Sequence, residues 1–284
     1  MFSRKKSTEV GARPVVNAMR LAFLFATCTL VLIPFYAAFT GGFKAPGELR
    51  ANPFALPQSW DLQYYIEIFQ NPTLWQMLGN SLWYTTLTII FTMLISAMVA
   101  FTFSHIHFFG KKFAYSYLIS GMMFPVATAL LSLFIKVRDF NLLDTTAGLV
   151  LPQVAFGIAM SVLFFRSFFE QLPKEIFEAA MVDGCGYSRF FFKIVLPLST
   201  PILATVGVFI LVGTWNGYTM PLILLNSPEN NPWTLGLMQF RTEYDVKWNL
   251  VLGYITVTIV PAIAFFLLAQ KYIVAGLGQG AVKG

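Results

Sequence analysis

Six stretches of this sequence carry no Asp, Glu, Lys or Arg: residues 21–43, 68–110, 113–135, 145–165, 194–228 and 248–270. Each is as long as the roughly 20 residues a helix needs to cross about 30 Å of hydrocarbon. With 57% of residues hydrophobic and 11% charged, the bilayer is the solvent and an ordinary soluble domain is excluded. The second window is polar through Asn71, Pro72, Gln76 and Asn80, so its span is about Ser81 to Phe103. Within the fifth, the span is about Ile202 to Leu225. The predicted fold class is all-α, a polytopic membrane protein with six transmembrane helices.

Six spans put both termini on one side. With the N-terminus inside, thirteen Lys and Arg lie on the cytoplasmic side and six outside: Lys44, Arg50, Lys136, Arg138, Arg241 and Lys247. The positive-inside rule then predicts a multi-pass protein of the cell membrane with both termini cytoplasmic. Attraction of those cations to anionic headgroups explains the net charge of +6 without a nucleic-acid partner. The first run follows a long polar segment, and Tyr36-Ala37-Ala38 is a poor cleavage site, so it reads as a retained span. Cys28 falls within that span and Cys185 in a polar loop, which rules out a disulfide framework. The expected organisation is a cytoplasmic tail (1–20), a first helix with an external segment (21–79), a core of five helices (80–272) containing a cytoplasmic loop at 170–200, and a second tail (273–284).

Along the chain, Trp60, Tyr64, Tyr65, Phe69 and Trp75 form an aromatic stretch suited to the headgroup level or to a partner surface. Thr85, Thr86, Thr88, Thr92 and Ser96 give the second span small hydroxyl residues that let helices approach. His105 and His107 lack a nearby third ligand, so no metal site is predicted. Pro34, Pro125, Pro152, Pro221 and Pro261 each bend or break their spans. Asn216, roughly 21 Å along its span at 1.5 Å per residue, needs a partner in the membrane, either a substrate hydroxyl or a neighbouring helix. Trp215, Asn216 and Tyr218 are therefore candidates for a substrate path.

The most specific stretch is Glu178-Ala179-Ala180-Met181-Val182-Asp183-Gly184, followed nine residues later by Ile194-Val195-Leu196-Pro197. Pro173 fits a first helical turn, a helix runs from about Lys174 to Asp183, and Gly184 ends it. Phe177, Ala180 and Met181 share one face at i, i+3 and i+4. Small residues beside large apolar ones make that face approachable, and the segment reads as a docking helix. At each position the pattern resembles the cytoplasmic loop signature of permease subunits of binding-protein-dependent ABC importers. The resemblance implies the type I ABC importer permease fold and a coupling helix seated in a cleft of an ATP-hydrolysing subunit. It places Glu178, Ala179, Ala180 and Gly184 at that contact, and Phe177, Met181 and Asp183 are candidates beside them.

The C-terminal run Gln270-Lys271-Tyr272-Ile273-Val274, Gly276-Leu277 and Gly280-Ala281-Val282-Lys283-Gly284 resembles the end of the shorter permease of maltose-type carbohydrate importers. In the maltose system that tail enters the interface between ATPase subunits; here Gly276, Gly278 and Gly280 are expected to keep it flexible. The sugar subgroup often follows Trp-Asn with an acidic residue, where this chain has Gly217. The loop from Asn226 to Asn249, with Leu235-Gly236-Leu237, Phe240 and Trp248, resembles the segment reaching toward the sugar-binding protein. Trp233, Asn230 and Asn231 are its candidate contacts, with a solvated loop as the alternative.

No Gly-x-x-x-x-Gly-Lys-Ser/Thr occurs, so the chain itself is expected to bind no cofactor, ATP and Mg sitting on partner subunits. The implied assembly is a second homologous permease, two ATP-binding subunits and an extracytoplasmic binding protein, moving a sugar or oligosaccharide. An ion-coupled secondary transporter is the alternative; such proteins usually carry ionisable relays within their spans, and these six windows carry none. No catalytic cluster is predicted.

Overall fold

The computed structural model describes residues 13–242 and 245–281, with side chains described for 16–242, 245–268 and 270. Helices dominate, in two compact units: residues 1–70 with 240–257, and residues 71–239 with 258–284.

The first unit is built on α1 (Arg13–Gly41), the short α2 (Pro46–Ala51) and α3 (Gln63–Gln70). The described helix already covers residues 13–20 of the expected tail, and side chains in its apolar window are exposed along its length. The end of α1 meets the start of a long C-terminal helix through glycines. A Cβ on Gly42 would lie 2.5 Å from the Tyr65 hydroxyl and 2.9 Å from the Gly253 Cα. Tyr65, expected at the headgroup level, is instead buried against Phe43 with ring centroids 4.7 Å apart. Its hydroxyl donates to the Phe39 carbonyl at 2.9 Å. Lys44, one of the six cations counted outside, is fully buried and donates to the Asn52 and Pro53 carbonyls.

The second unit centres on α4 (Pro72–His105) packed along α7 (Thr146–Phe169). Asn71 caps α4 by accepting from Thr73 N–H at 3.0 Å, and Thr145 caps α7 by accepting from Gly148 N–H at 3.0 Å. Four of the five hydroxyl residues singled out on α4 turn inward, Thr85, Thr88, Thr92 and Ser96 being buried, while Thr86 is exposed. Opposite them Gly157 lets the helices close, since a Cβ there would stand 3.1 Å from the Thr92 methyl.

Two of the expected spans are broken. Residues 113–135 form α5 (Lys111–Ser120), a 3₁₀ turn (Gly121–Met123) and α6 (Val126–Asp139), bent by 101°. Pro125 has no N–H to donate, and it drives Phe124 to φ −84°, ψ 116° in the extended region. The fifth span starts as α9 (Tyr187–Phe190), a π-helical turn (Phe191–Val195) and α10 (Leu196–Leu198), then bends 78° into α11 (Thr200–Trp215). Pro197 and Pro201 remove backbone donors around that bend. The chain breaks again at Asn216–Tyr218 before α12 (Thr219–Leu224), so no continuous helix covers Ile202–Leu225. Two short turns lead through α13 (Trp233–Gly236) to α14 (Trp248–Ala281). Among the described residues, four helices are long and apolar enough to cross a membrane, or six when each bent pair counts as one span.

Candidate functional site

The docking segment is α8 (Lys174–Val182). Pro173 sits one residue before it, at φ −57°, ψ 130°, rather than within its first turn. The helix ends in a Schellman arrangement: Gly184 N–H donates to the Met181 carbonyl at 3.1 Å and Cys185 N–H to the Ala180 carbonyl at 2.9 Å. Gly184 is at φ +72°, left-handed, where a Cβ is strained whatever space surrounds it. Gly184→Ala is therefore expected to cost about 1–2 kcal/mol, seen as a lower melting temperature of the purified protein.

The inward face of α8 is the one expected to dock. Ala180 is 6% exposed, and Phe177 and Met181 pack against the chain's own core. Phe177 meets Phe190 edge-on at 5.2 Å, Tyr187 at 5.7 Å and His105, the last residue of α4, at 5.6 Å. His105 in turn stacks on Phe101 at 4.8 Å. The physical reason is burial: the large apolar side chains gain more from this aromatic platform than from water. Glu175, Glu178, Ala179 and Val182 form the opposite stripe at i, i+3, i+4 and i+7, all exposed, with Asp183 beside them. Val182 stands out most, at 88% exposure.

A second feature is a cleft of about 400 Å³ between α4, α6, α7, α11 and the 217–221 corner. Its apolar walls include Phe156 and the stacked pair Phe164 and Phe209, whose rings lie 5.4 Å apart at 14°. Polar groups are few: Thr88, Gln153, Ser161, Thr214, Tyr218 and Thr219. The Thr88 hydroxyl donates to Gln153 Oε1 at 3.0 Å. Thr214 and Ser161 donate to carbonyls of their own helices, Ile210 at 2.6 Å and Gly157 at 2.8 Å.

The model of the family described as "Binding-protein-dependent transport system inner membrane component" matches residues 92–277. The chain belongs to this family. It is thus a membrane permease component of a transport system. The permease is 31% identical over 268 residues to the diacetylchitobiose uptake system permease protein NgcG of Streptomyces coelicolor, covering 94% of this chain and 89% of that one. It is 32% identical over 259 residues to the arabinooligosaccharides transport system permease protein AraQ of Halalkalibacterium halodurans, covering 90% and 92%. Its fold matches a bacterial ABC transporter involved in the import of the acidic polysaccharide alginate, with TM-score 0.78 and 24% identity over 95% of this chain and 100% of the other. The structure is that of an ABC importer permease.

Of the residues singled out for the permease's substrate path, Tyr218 alone lines the cleft. Trp215 is 2% exposed and lies beneath Trp233, whose indole N–H donates to the Trp215 carbonyl at 2.7 Å. Asn216 caps α11 and gives one amide proton to the Val212 carbonyl of its own helix at 3.0 Å. Trp233, expected at a partner surface, is 9% exposed, its N–H bonded to Ser81 Oγ at 2.8 Å. Asn230 and Asn231 also serve the chain itself. The Asn230 amide donates to the Asp144 carbonyl at 3.0 Å, and the Asn231 carbonyl accepts from Asn80 at 3.1 Å.

Gln153 was missed, although it is the one Asn or Gln in its charge-free window, a signal that intramembrane polar groups give. The glycine-rich terminus is helical through Gly276, Gly278, Gly280 and Ala281 rather than loose, because α14 continues past its apolar part. Val282, Lys283 and Gly284 lie outside the described residues.

Proposed function

We propose that this permease carries a sugar or oligosaccharide inward, powered by ATP hydrolysis on two separate subunits and supplied by an extracytoplasmic binding protein. A second homologous permease completes the path. The observation that carries the coupling role is the stripe Glu175, Glu178, Ala179 and Val182, which no described part of the chain covers while the opposite face is anchored on aromatic rings. A short helix held rigidly on one side and bare on the other can transmit a push, since packed elements shift as units. The contact is therefore assigned to the outward stripe with Asp183, and Phe177, Ala180 and Met181 act as its seat. Gly184 fixes the turn that follows.

The greater share of Lys and Arg on the α8 side supports a cytoplasmic position for this helix and for both termini. The terminal residues Gly280 to Gly284 then lie on the ATPase side, consistent with a tail reaching those subunits. ATP and Mg belong to the partners, because the chain has no phosphate-binding loop. The saccharide reading is supported by NgcG and AraQ, whose names specify oligosaccharides.

The test is reconstitution of the chain with its co-expressed partners in nanodiscs. ATPase activity is expected to rise when a sugar-loaded binding protein is added. Transport by the chain alone in vesicles, driven by an ion gradient with no ATP, would overturn the proposal.

A further inference from the structure

We propose that the cleft between α4, α7 and α11 is a saccharide site belonging to this subunit, and that it accepts uncharged sugar rings while rejecting acidic ones. This rests on the reading of the chain as a carbohydrate permease and deepens it by naming the substrate class and the groups that select it.

Three observations converge on one ligand chemistry. The walls offer flat apolar surface: Phe164 and Phe209 stack across α7 and α11, with Phe156 nearby. A pyranose or furanose ring presents a C–H face that packs on such rings.

The second observation concerns unmet hydrogen bonds. Gln153 accepts from Thr88 through Oε1, and its amide N–H groups have no acceptor among the described residues. The Tyr218 and Thr219 hydroxyls, on the same cleft, likewise have no protein partner among the described residues. In a membrane such groups are costly unless something answers them. A lipid chain offers no acceptor. A sugar hydroxyl both accepts and donates, and so can meet Gln153 and then give its own proton to the Thr214 or Ser161 oxygen. Those two hydroxyls have committed their protons to helix carbonyls and present lone pairs.

The third observation is electrostatic. Among the described residues, no Lys, Arg, His, Asp or Glu lines the cleft. A uronate carboxylate entering it would lose its hydration with no cation in exchange, which a low-dielectric site punishes heavily. A neutral sugar loses only hydrogen bonds that the cleft can return. The solved structural neighbour is described as importing an acidic polysaccharide; this cleft supplies no cationic group for such a substrate.

The test uses the full complex in nanodiscs and three diazirine-bearing probes: an arabino-oligosaccharide, a di-N-acetylated chitobiose and an alginate trisaccharide. After irradiation, cross-linked peptides are mapped by mass spectrometry. Both neutral probes are expected to label peptides within residues 153–164 and 206–219, and the alginate probe at least about tenfold less. Gln153→Leu, which keeps the volume and removes the amide, is expected to weaken neutral labelling by about tenfold. Met160→Lys, at an exposed position of the cleft wall, is expected to admit the alginate probe.

Equal labelling of the wild-type cleft by the alginate probe overturns the selectivity. Labelling confined to the partner permease, or none in the cleft, overturns the site. In either case stimulation of ATPase by a sugar-loaded binding protein leaves the importer reading standing. Absence of stimulation by any loaded binding protein counts against that reading, whichever peptides are labelled.

Discussion

Glu178→Lys and Val182→Asp in the assembled transporter are each expected to lower ATPase stimulation by loaded binding protein at least about tenfold, the equivalent of about 1.4 kcal/mol of coupling. Both positions lie on the bare stripe of α8, and Val182 is 88% exposed. Neither side chain supports the fold through burial, so the isolated subunit is expected to keep its melting behaviour within about 0.5 kcal/mol. The small penalty for Glu178→Lys is the like-charge pair it creates with Lys174 four residues earlier, about 0.2–0.5 kcal/mol. Phe177→Ala is the contrasting variant. It removes a ring wedged among His105, Tyr187 and Phe190 and is expected to destabilise the subunit by about 2–4 kcal/mol. Retention of full stimulation by both outward variants would show that the stripe is not the contact.

The existence of α8, its end at Gly184 and the break at Pro125 were legible because they depend on local chemistry: a missing N–H, a left-handed φ, an i, i+3, i+4 repeat. Pro34, Pro152 and Pro261, expected to bend or break their spans, lie inside α1, α7 and α14, which run on through them. Which face of α8 looks outward was not legible. Amphipathicity marks two faces, and the partner of the apolar one is set by Phe190 together with Phe101 and His105, which are far away in sequence. The same limit explains Trp215 and Trp233. Each alone reads as a large aromatic available to ligand or partner, and only the fold brings them together as a buried pair. Asn216 misled for the opposite reason. A helix was assumed to continue through it, whereas the break at Gly217 makes it a cap. Gln153 and Thr88 lie 65 positions apart, and their meeting required the close α4–α7 approach that Gly157 permits.

Asp144→Asn is expected to loosen the loop that holds the corner of the cleft, by about 1 kcal/mol at neutral pH. Asp144 sits at φ +60° and faces residues 226–230. Its carboxylate accepts from Asn226 N–H at 3.0 Å, Ser227 N–H at 3.1 Å, the Ser227 hydroxyl and the Asn230 amide at 3.1 Å. Tyr84 and Asn80 of α4 bond to carbonyls of the same loop. The loop then delivers Trp233 to Trp215 and Thr234 to the Gly217 carbonyl at 2.8 Å, and Gly217 and Tyr218 border the cleft. The donors around Asp144, the Ser227 hydroxyl first among them, hold its pKa down to about 2 against 3.8 for an ordinary aspartate. Folded below unfolded means that the carboxylate stabilises the native state above the unfolded pKa, and that this contribution fades as pH falls from about 4 to about 2. Converted at about 1.36 kcal/mol per pH unit and discounted for a carboxylate that solvent reaches, the shift amounts to about 1 kcal/mol. Thermal unfolding of wild type and Asp144→Asn in the same detergent is expected to show a gap that is constant from pH 7 to about 4.5 and closes by about pH 2. Subtracting the variant removes the other carboxylates that titrate in this range. A gap independent of pH would mean that the loop is held by packing and the α4 bonds, and that the charge on Asp144 contributes nothing.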